Sequence, residues 1–232
     1  MKKFFAFFIF LLAFTQLSAS VGSGEKIIMI HGFFGSAWNL KYQEYKLKKK
    51  GFHVTCWDYK SRKKTIQTHA ENLVAYLNEI AEKHPQQPIH FVTHSMGGLI
   101  LRAAVNHPQC PAEAKCGRAV LLAPPNQGSS WGRMLGEWRI MNTICEDQSG
   151  EELLTQENFD YLGEFPSSMQ IKVIAGDRGL NPFLHGPHDG TVTVEETYLN
   201  TPHEHDTIHE EHLFILFSKK AAKAIREFFQ RD

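Results

Sequence analysis

Short runs of consecutive apolar residues alternate along the chain with longer stretches in which apolar side chains recur every three or four positions. Lys26-Ile27-Ile28-Met29-Ile30 and residues 52–57, 89–94, 118–123 and 170–175 have strand length and read as strands, the first of them and 89–94 as buried ones. Residues 36–50 predict a helix that gathers lysines in its last turn before Gly51, where the helix dipole favours cations. Residues 65–84 put Ile66, Ala70, Leu73, Leu77, Ile80 and Ala81 on one helical face, with Thr68 and Glu71 as a capping box and Pro85 just past the end. A helix starts at once after Ser95 and runs to about His107, and residues 218–229 predict a final amphipathic helix. Strands alternating with helices predict an α/β fold: a mostly parallel sheet with helices on both faces.

Two segments depart from this rhythm. Residues 124–168 are far longer than a crossover connection needs and carry Trp131, Met134, Leu135, Trp138, Ile140 and Met141, which predicts a small helical cap or lid over the carboxyl edge of the sheet. The same aromatics packed on the core are the alternative. Residues 192–199, rich in β-branched side chains after Asp189-Gly190, predict another extended run.

At the amino terminus Lys2 and Lys3 precede an apolar run over residues 4–14 and then Ser18, Ala19 and Ser20. This is the shape of a secretory signal peptide over residues 1–20, and its apolar run is short of the roughly 20 residues that a membrane span needs. The remaining 21–232 make one domain of a size that buries a full core, exported to the periplasm or the medium. Basic and acidic residues balance at 25 each, or 23 against 25 without Lys2 and Lys3, so no strong field points to nucleic acid. Two basic runs, residues 46–50 and 60–64, suit transient contact with anionic lipid headgroups, or form an ordinary solvated face. Cys56, Cys110, Cys116 and Cys145 fit an exported chain, with Cys110 and Cys116 the best-placed pair for a disulfide closing a short loop; free buried thiols are the alternative.

The chemistry centres on residues 89–102, a strand, a tight turn and a helix with Ser95 at the apex, where a serine is either a helix cap or a nucleophile. Three features give it company. His31-Gly32-Phe33-Phe34 follows the first strand, and backbone N–H groups of Phe33 and Met96 suit an oxyanion hole. Asp189 sits in an Asp-Gly turn after the fifth strand as the acid, with Asp177 as its rival. His212 precedes an apolar run as the base, with His209 as its rival. Pro125-Asn126-Gln127-Gly128-Ser129 leaves the fourth strand toward the same edge and shapes a wall of the site. His203, His205, Asp206, His209 and His212 would alternatively ligate a metal, although they match no standard motif.

These residues resemble the α/β-hydrolase superfamily, and within it small lipase-like serine esterases, over nearly all of residues 21–232. The His-Gly at 31–32, Thr93-His94-Ser95-Met96-Gly97-Gly98, the 125–129 stretch, Asp189-Gly190 and His212-Leu213-Phe214-Ile215 carry the resemblance, and the order serine, acid, histidine agrees with it. The departure is Thr93, where the family's nucleophile turn has its first glycine, so the side chain of Thr93 needs room that a glycine does not. The resemblance implies acyl transfer from a lipid or other carboxylic ester to water by a Ser95–His212–Asp189 triad, with no cofactor or metal. Thioesters and amides need the same machinery. Phe34, Trp131, Met134 and Trp138 would then line an acyl pocket, together with Phe33. A hydrolase-like fold that binds without catalysing is the alternative.

Overall fold

The computed structural model describes residues 25–137 and 148–231. The signal-peptide reading, Trp138 and Cys145 lie outside these residues. Six parallel strands, β1 (Lys26–Ile30), β2 (His53–Trp57), β3 (Ile89–His94), β4 (Arg118–Leu122), β5 (Gln170–Gly176) and β6 (Glu204–Ile208), form one sheet in the order β2-β1-β3-β4-β5-β6. Because side chains alternate across a strand, Ile28, Ile30, Phe91, Leu121 and Val173 face one core. Ile27, Met29, Val92, Val120 and Ile174 face the other. The first core is covered by α2 (Ile66–Lys83) and α3 (Met96–Asn106), the second by α1 (Lys41–Lys48) and α6 (Lys219–Phe229). Burial on both faces explains why the central strands read as continuous apolar runs.

Helix ends follow local chemistry. The stretch expected as one helix over 36–50 divides into a 3-10 turn, Ala37–Leu40, and α1. At α2 the cap is Thr65, whose side chain accepts from the N–H of Thr68, rather than a box of Thr68 and Glu71. Ser218 caps α6 by accepting from the N–H groups of Lys220 and Ala221, an arrangement worth about 1 kcal/mol.

The largest differences from expectation lie after β5. Residues 192–199 are not extended: the turn after Asp189 bends into a 3-10 turn, Glu195–Thr197, because Glu196 accepts from the N–H of Thr193 at 2.8 Å and folds the segment back on itself. The sixth strand comes instead from Glu204–Ile208, within the histidine-rich stretch, and pairs Lys172 with Glu204 and Gly176 with Ile208. As an edge strand it needs little apolar surface. The buried Lys172 is neutralised by Glu204 at 3.1 Å and Asp206 at 2.7 Å.

Cys56, Cys110 and Cys116 are free thiols. Cys110 and Cys116 each turn to a carbonyl of the loop between them, of Pro111 at 3.8 Å and of Glu113 at 3.6 Å, instead of to each other. Burial pushes the Cys110 thiol up to about 11.

Candidate active site

The carboxyl ends of β1, β3 and β4 meet around the turn at residues 93–98. Ser95 has φ 52° and ψ −127°, a backbone conformation that costs on the order of 1–3 kcal/mol and is held by its surroundings. The N–H of Ser95 donates to Leu122 at 2.9 Å, and its carbonyl accepts from Gly98 at 2.9 Å. Gly97 packs so closely on the end of β1 that a Cβ would lie 2.6 Å from the Ile30 carbonyl oxygen, and on the other side a Cβ on Gly32 would meet Cβ of Ser95 at 2.9 Å. The turn therefore admits no side chain at Gly97 or at Gly32, which packs against it.

The room required by Thr93 is supplied across the turn. Its Oγ1 lies 3.3 Å from where a Cβ of Gly98 would be, so the second glycine of the pair accommodates the side chain that stands in place of the family's first. Thr93 is fully buried, and its hydroxyl has no hydrogen-bond partner.

On the β1 side, His31 is buried and stacks on Tyr59 at 4.2 Å, and the Tyr59 hydroxyl donates to the His31 carbonyl at 2.8 Å. Burial lowers the His31 pKa. Gly35 N–H donates to Gly32, closing a turn in which Phe34 has φ 56°. Met96 is the first residue of α3, so its N–H has no acceptor inside the helix. The Phe33 side chain and Ser95 both line one cavity.

The structure separates the rival acids and bases into two pairs. Nδ1 of His212 lies 2.7 Å from Asp189 Oδ2, and Nδ1 of His209 lies 2.9 Å from Asp177 Oδ1. Asp189 is buried, and its other oxygen accepts from the N–H groups of Thr191 at 2.9 Å and Val192 at 2.8 Å. The backbone N–H of His212 donates to the Asp189 carbonyl at 3.0 Å. A carboxylate only accepts, so Nδ1 of His212 carries the proton and Nε2 is left as the basic nitrogen. His212 lines the cavity with Ser95.

His94 is a contributor that the sequence reading left without a role. It is buried behind the turn, its Nε2–H donates to the His212 carbonyl at 2.9 Å, and its ring lies 4.8 Å from that of His212. Burial, followed by the proximity of His212, drops its pKa to about 3 and keeps it neutral. The only sequence signal was its position immediately before the serine.

The cavity, about 240 Å3, is walled by apolar side chains. Phe33, Phe34 and Trp131 line it, and Pro125 and Ser129 form part of the wall. Met134 does not line it. In α4 (Ser130–Glu137), Trp131 and Leu135 share the cavity face, while Gly132 and Gly136 pack against the Leu153 and Leu154 carbonyls of α5 (Gln148–Thr155). Leu153 and Leu154 complete the apolar wall and were not anticipated; an adjacent leucine pair in a short polar helix is a weak signal. Helix α5 is anchored to the sheet domain by Glu152, which accepts from the N–H of Ile66 at 2.6 Å, and by the Ser149 hydroxyl, which donates to the Ser61 carbonyl.

Among the described residues no group of three His, Cys, Asp or Glu side chains is arranged to hold a metal ion. The residues of the histidine-rich stretch are engaged singly: His203 with the Thr201 carbonyl, His205 with Thr197, Asp206 with Lys172, His209 with Asp177 and His212 with Asp189.

The family model of the alpha/beta hydrolase fold matches residues 26–140. No curated protein sequence is significantly similar to the chain. Among solved structures, the mature lipase BlEst2 of Bacillus licheniformis superposes with a TM-score of 0.72 at 19% identity, covering 89% of this chain and 92% of that one. Phospholipase PlaB of Legionella pneumophila gives 0.67 at 16% identity, over 89% of this chain and 59% of that one. The metagenomic carboxyl esterase MGS0156 gives 0.66 at 17% identity, over 85% and 67%. With its parallel sheet, the helices on both faces and the matched family model, the chain has the α/β-hydrolase fold.

Proposed function

We propose that the protein is a serine hydrolase of carboxylic esters, with Ser95 as nucleophile, His212 as general base and Asp189 as the acid that orients it. The observation that carries this is the shared cavity: a serine in a strained strand-to-helix turn and a histidine fixed by a buried aspartate line the same apolar space. Nε2 of His212 takes the Ser95 proton as Oγ attacks the carbonyl carbon. Asp189 stabilises the imidazolium. The oxyanion is held by the N–H groups of Phe33 and Met96, each worth about 3–4 kcal/mol in comparable sites. Collapse expels the alcohol, which takes the proton from His212, and water then releases the acid from the acyl-serine by the same steps.

The apolar walls favour an acyl chain, and the resemblance to lipase, phospholipase and carboxyl esterase structures supports a lipid or other acyl ester. In this reading α4 and α5 belong to a cap over the site, and residues 1–20 direct the chain out of the cytoplasm. The test is covalent labelling by a fluorophosphonate together with hydrolysis of p-nitrophenyl esters of increasing chain length. Labelling and turnover are expected in the wild type and absent in Ser95→Ala. A folded wild type that fails to label rejects the assignment, and a sharp preference for the shortest acyl chains rejects a lipid ester while retaining the esterase.

A further inference from the structure

We propose that the surface formed by α1, the 3-10 turn before it and the 3-10 turn Phe214–Phe217 is a docking face for an anionic lipid bilayer. Trp38, Tyr45, Leu213, Phe214 and Phe217 each expose more than half of their surface, 79% for Trp38 and 52% for Phe217 at the extremes. Scattered exposed apolar residues are ordinary, but these belong to joined elements. Nε2 of Gln43 in α1 donates to the carbonyls of Ile215 and Ser218, and the Phe217 ring lies 6.3 Å from Tyr42.

The cations sit among these rings. Residues 41–50 contain five lysines and one glutamate, Glu44, which is engaged by Lys41 and Lys48 at 2.7 Å each. Lys46 lies over the Tyr42 ring at 5.2 Å and Lys49 over Tyr45 at 6.0 Å, while Lys219 and Lys220 are exposed at the start of α6. The second basic run reaches the cavity, where the Arg62 guanidinium lies 4.7 Å over Phe34. The chain as a whole carries no net charge, so this is a local concentration of positive charge.

Lysine stems that reach past aromatic rings fit a lipid–water boundary, where rings settle at headgroup depth and ammonium groups meet lipid phosphates. The centre of a protein–protein interface, by contrast, is depleted in lysine. Among the described residues no helix is long and apolar enough to cross a membrane, so the contact is peripheral. Leu213 directly follows His212 and Phe34 lines the cavity, so docking turns the cavity mouth toward the bilayer. The value of that placement rests on the ester-hydrolase reading; the docking face itself does not.

The experiment is co-sedimentation of the full protein with phosphatidylcholine vesicles and with vesicles of equal parts phosphatidylcholine and phosphatidylglycerol, alongside hydrolysis of a water-soluble acetate ester. Binding to the anionic vesicles is expected, with little to the neutral ones, and it weakens in high salt as the charges are screened. Lys46→Glu with Lys49→Glu is expected to weaken it roughly tenfold or more. Phe214→Ser with Phe217→Ser is expected to weaken it comparably, through lost burial of the rings. Both double variants should hydrolyse the soluble ester as the wild type does. Wild type that ignores anionic vesicles overturns the proposal, as does wild-type binding by either double variant. Vesicle binding without hydrolysis of any ester overturns the esterase reading and leaves the docking face standing.

Discussion

His212 and His209 are three residues apart, and each meets an aspartate through Nδ1, at 2.7 Å from Asp189 and 2.9 Å from Asp177. Their surroundings differ. The side chains of His212 and Asp189 are 11% and 1% exposed, those of His209 and Asp177 68% and 35%. An exposed pair is screened by water and salt and contributes about 0–1 kcal/mol, so either partner is free to leave. Asp189 is held by two backbone N–H groups on the oxygen that His212 does not use, and His212 is held at its N–H, its carbonyl and its ring. A histidine beside a carboxylate is therefore common chemistry. What sets one pair apart is enclosure by groups that fix its geometry, together with an opening onto the cavity that contains a serine.

The comparison breaks first at Ser95: Ser95→Ala should lower kcat by about 10⁵-fold in an ester hydrolysis assay while leaving the melting temperature nearly unchanged. The sharpest discrimination between the pairs is Asp189→Asn against Asp177→Asn. The first should lower kcat about 10⁴-fold by losing the fixed tautomer, and the second should stay within about twofold. Equal effects of the two would remove the distinction drawn above.

Burial of His94 predicts a pH dependence of stability. The folded side chain protonates only near pH 3, the unfolded one near 6.5, so the unfolded state binds more protons in between and stability falls as pH drops through that window. The loss is on the order of 5 kcal/mol once complete. Denaturant midpoints measured down from neutrality should show the slope, and His94→Gln should flatten it. In catalysis His94→Leu removes the donor to the His212 carbonyl and should reduce kcat about 10- to 100-fold, with His94→Gln recovering part of the loss. The smallest effect is expected at Thr93→Val, which removes a buried hydroxyl without a partner and keeps the shape. Stability should rise by up to about 1 kcal/mol, read as a higher melting temperature, with activity unchanged.

Much of the sheet was legible because its inner strands β1, β3, β4 and β5 are mostly apolar runs of the right length, as strands buried on both faces must be. Strand β6 was not, since an edge strand faces water and its residues Glu204–Ile208 contain a single large apolar side chain. The run at 192–199 misled for the converse reason: β-branched residues favour extension, but the carboxylates of Asp189 and Glu196 captured the local N–H groups and bent the chain. In the cavity, Trp131 could be nominated by type, whereas Met134 and Leu135 were distinguishable only once α5 had taken the glycine face of α4.

By itself the sequence determined the alternation of strands and helices, the turn that holds Ser95 and the presence of two acids and two histidines in the right order. These are local matters of periodicity, backbone sterics and residue type, decided within a few positions along the chain. Which histidine meets which aspartate and which side chains wall the cavity were decided by tertiary structure alone. Those contacts join residues tens to more than a hundred positions apart, as from His94 to His212. They depend on how the parallel sheet stacks the carboxyl ends of its strands, which no local pattern encodes.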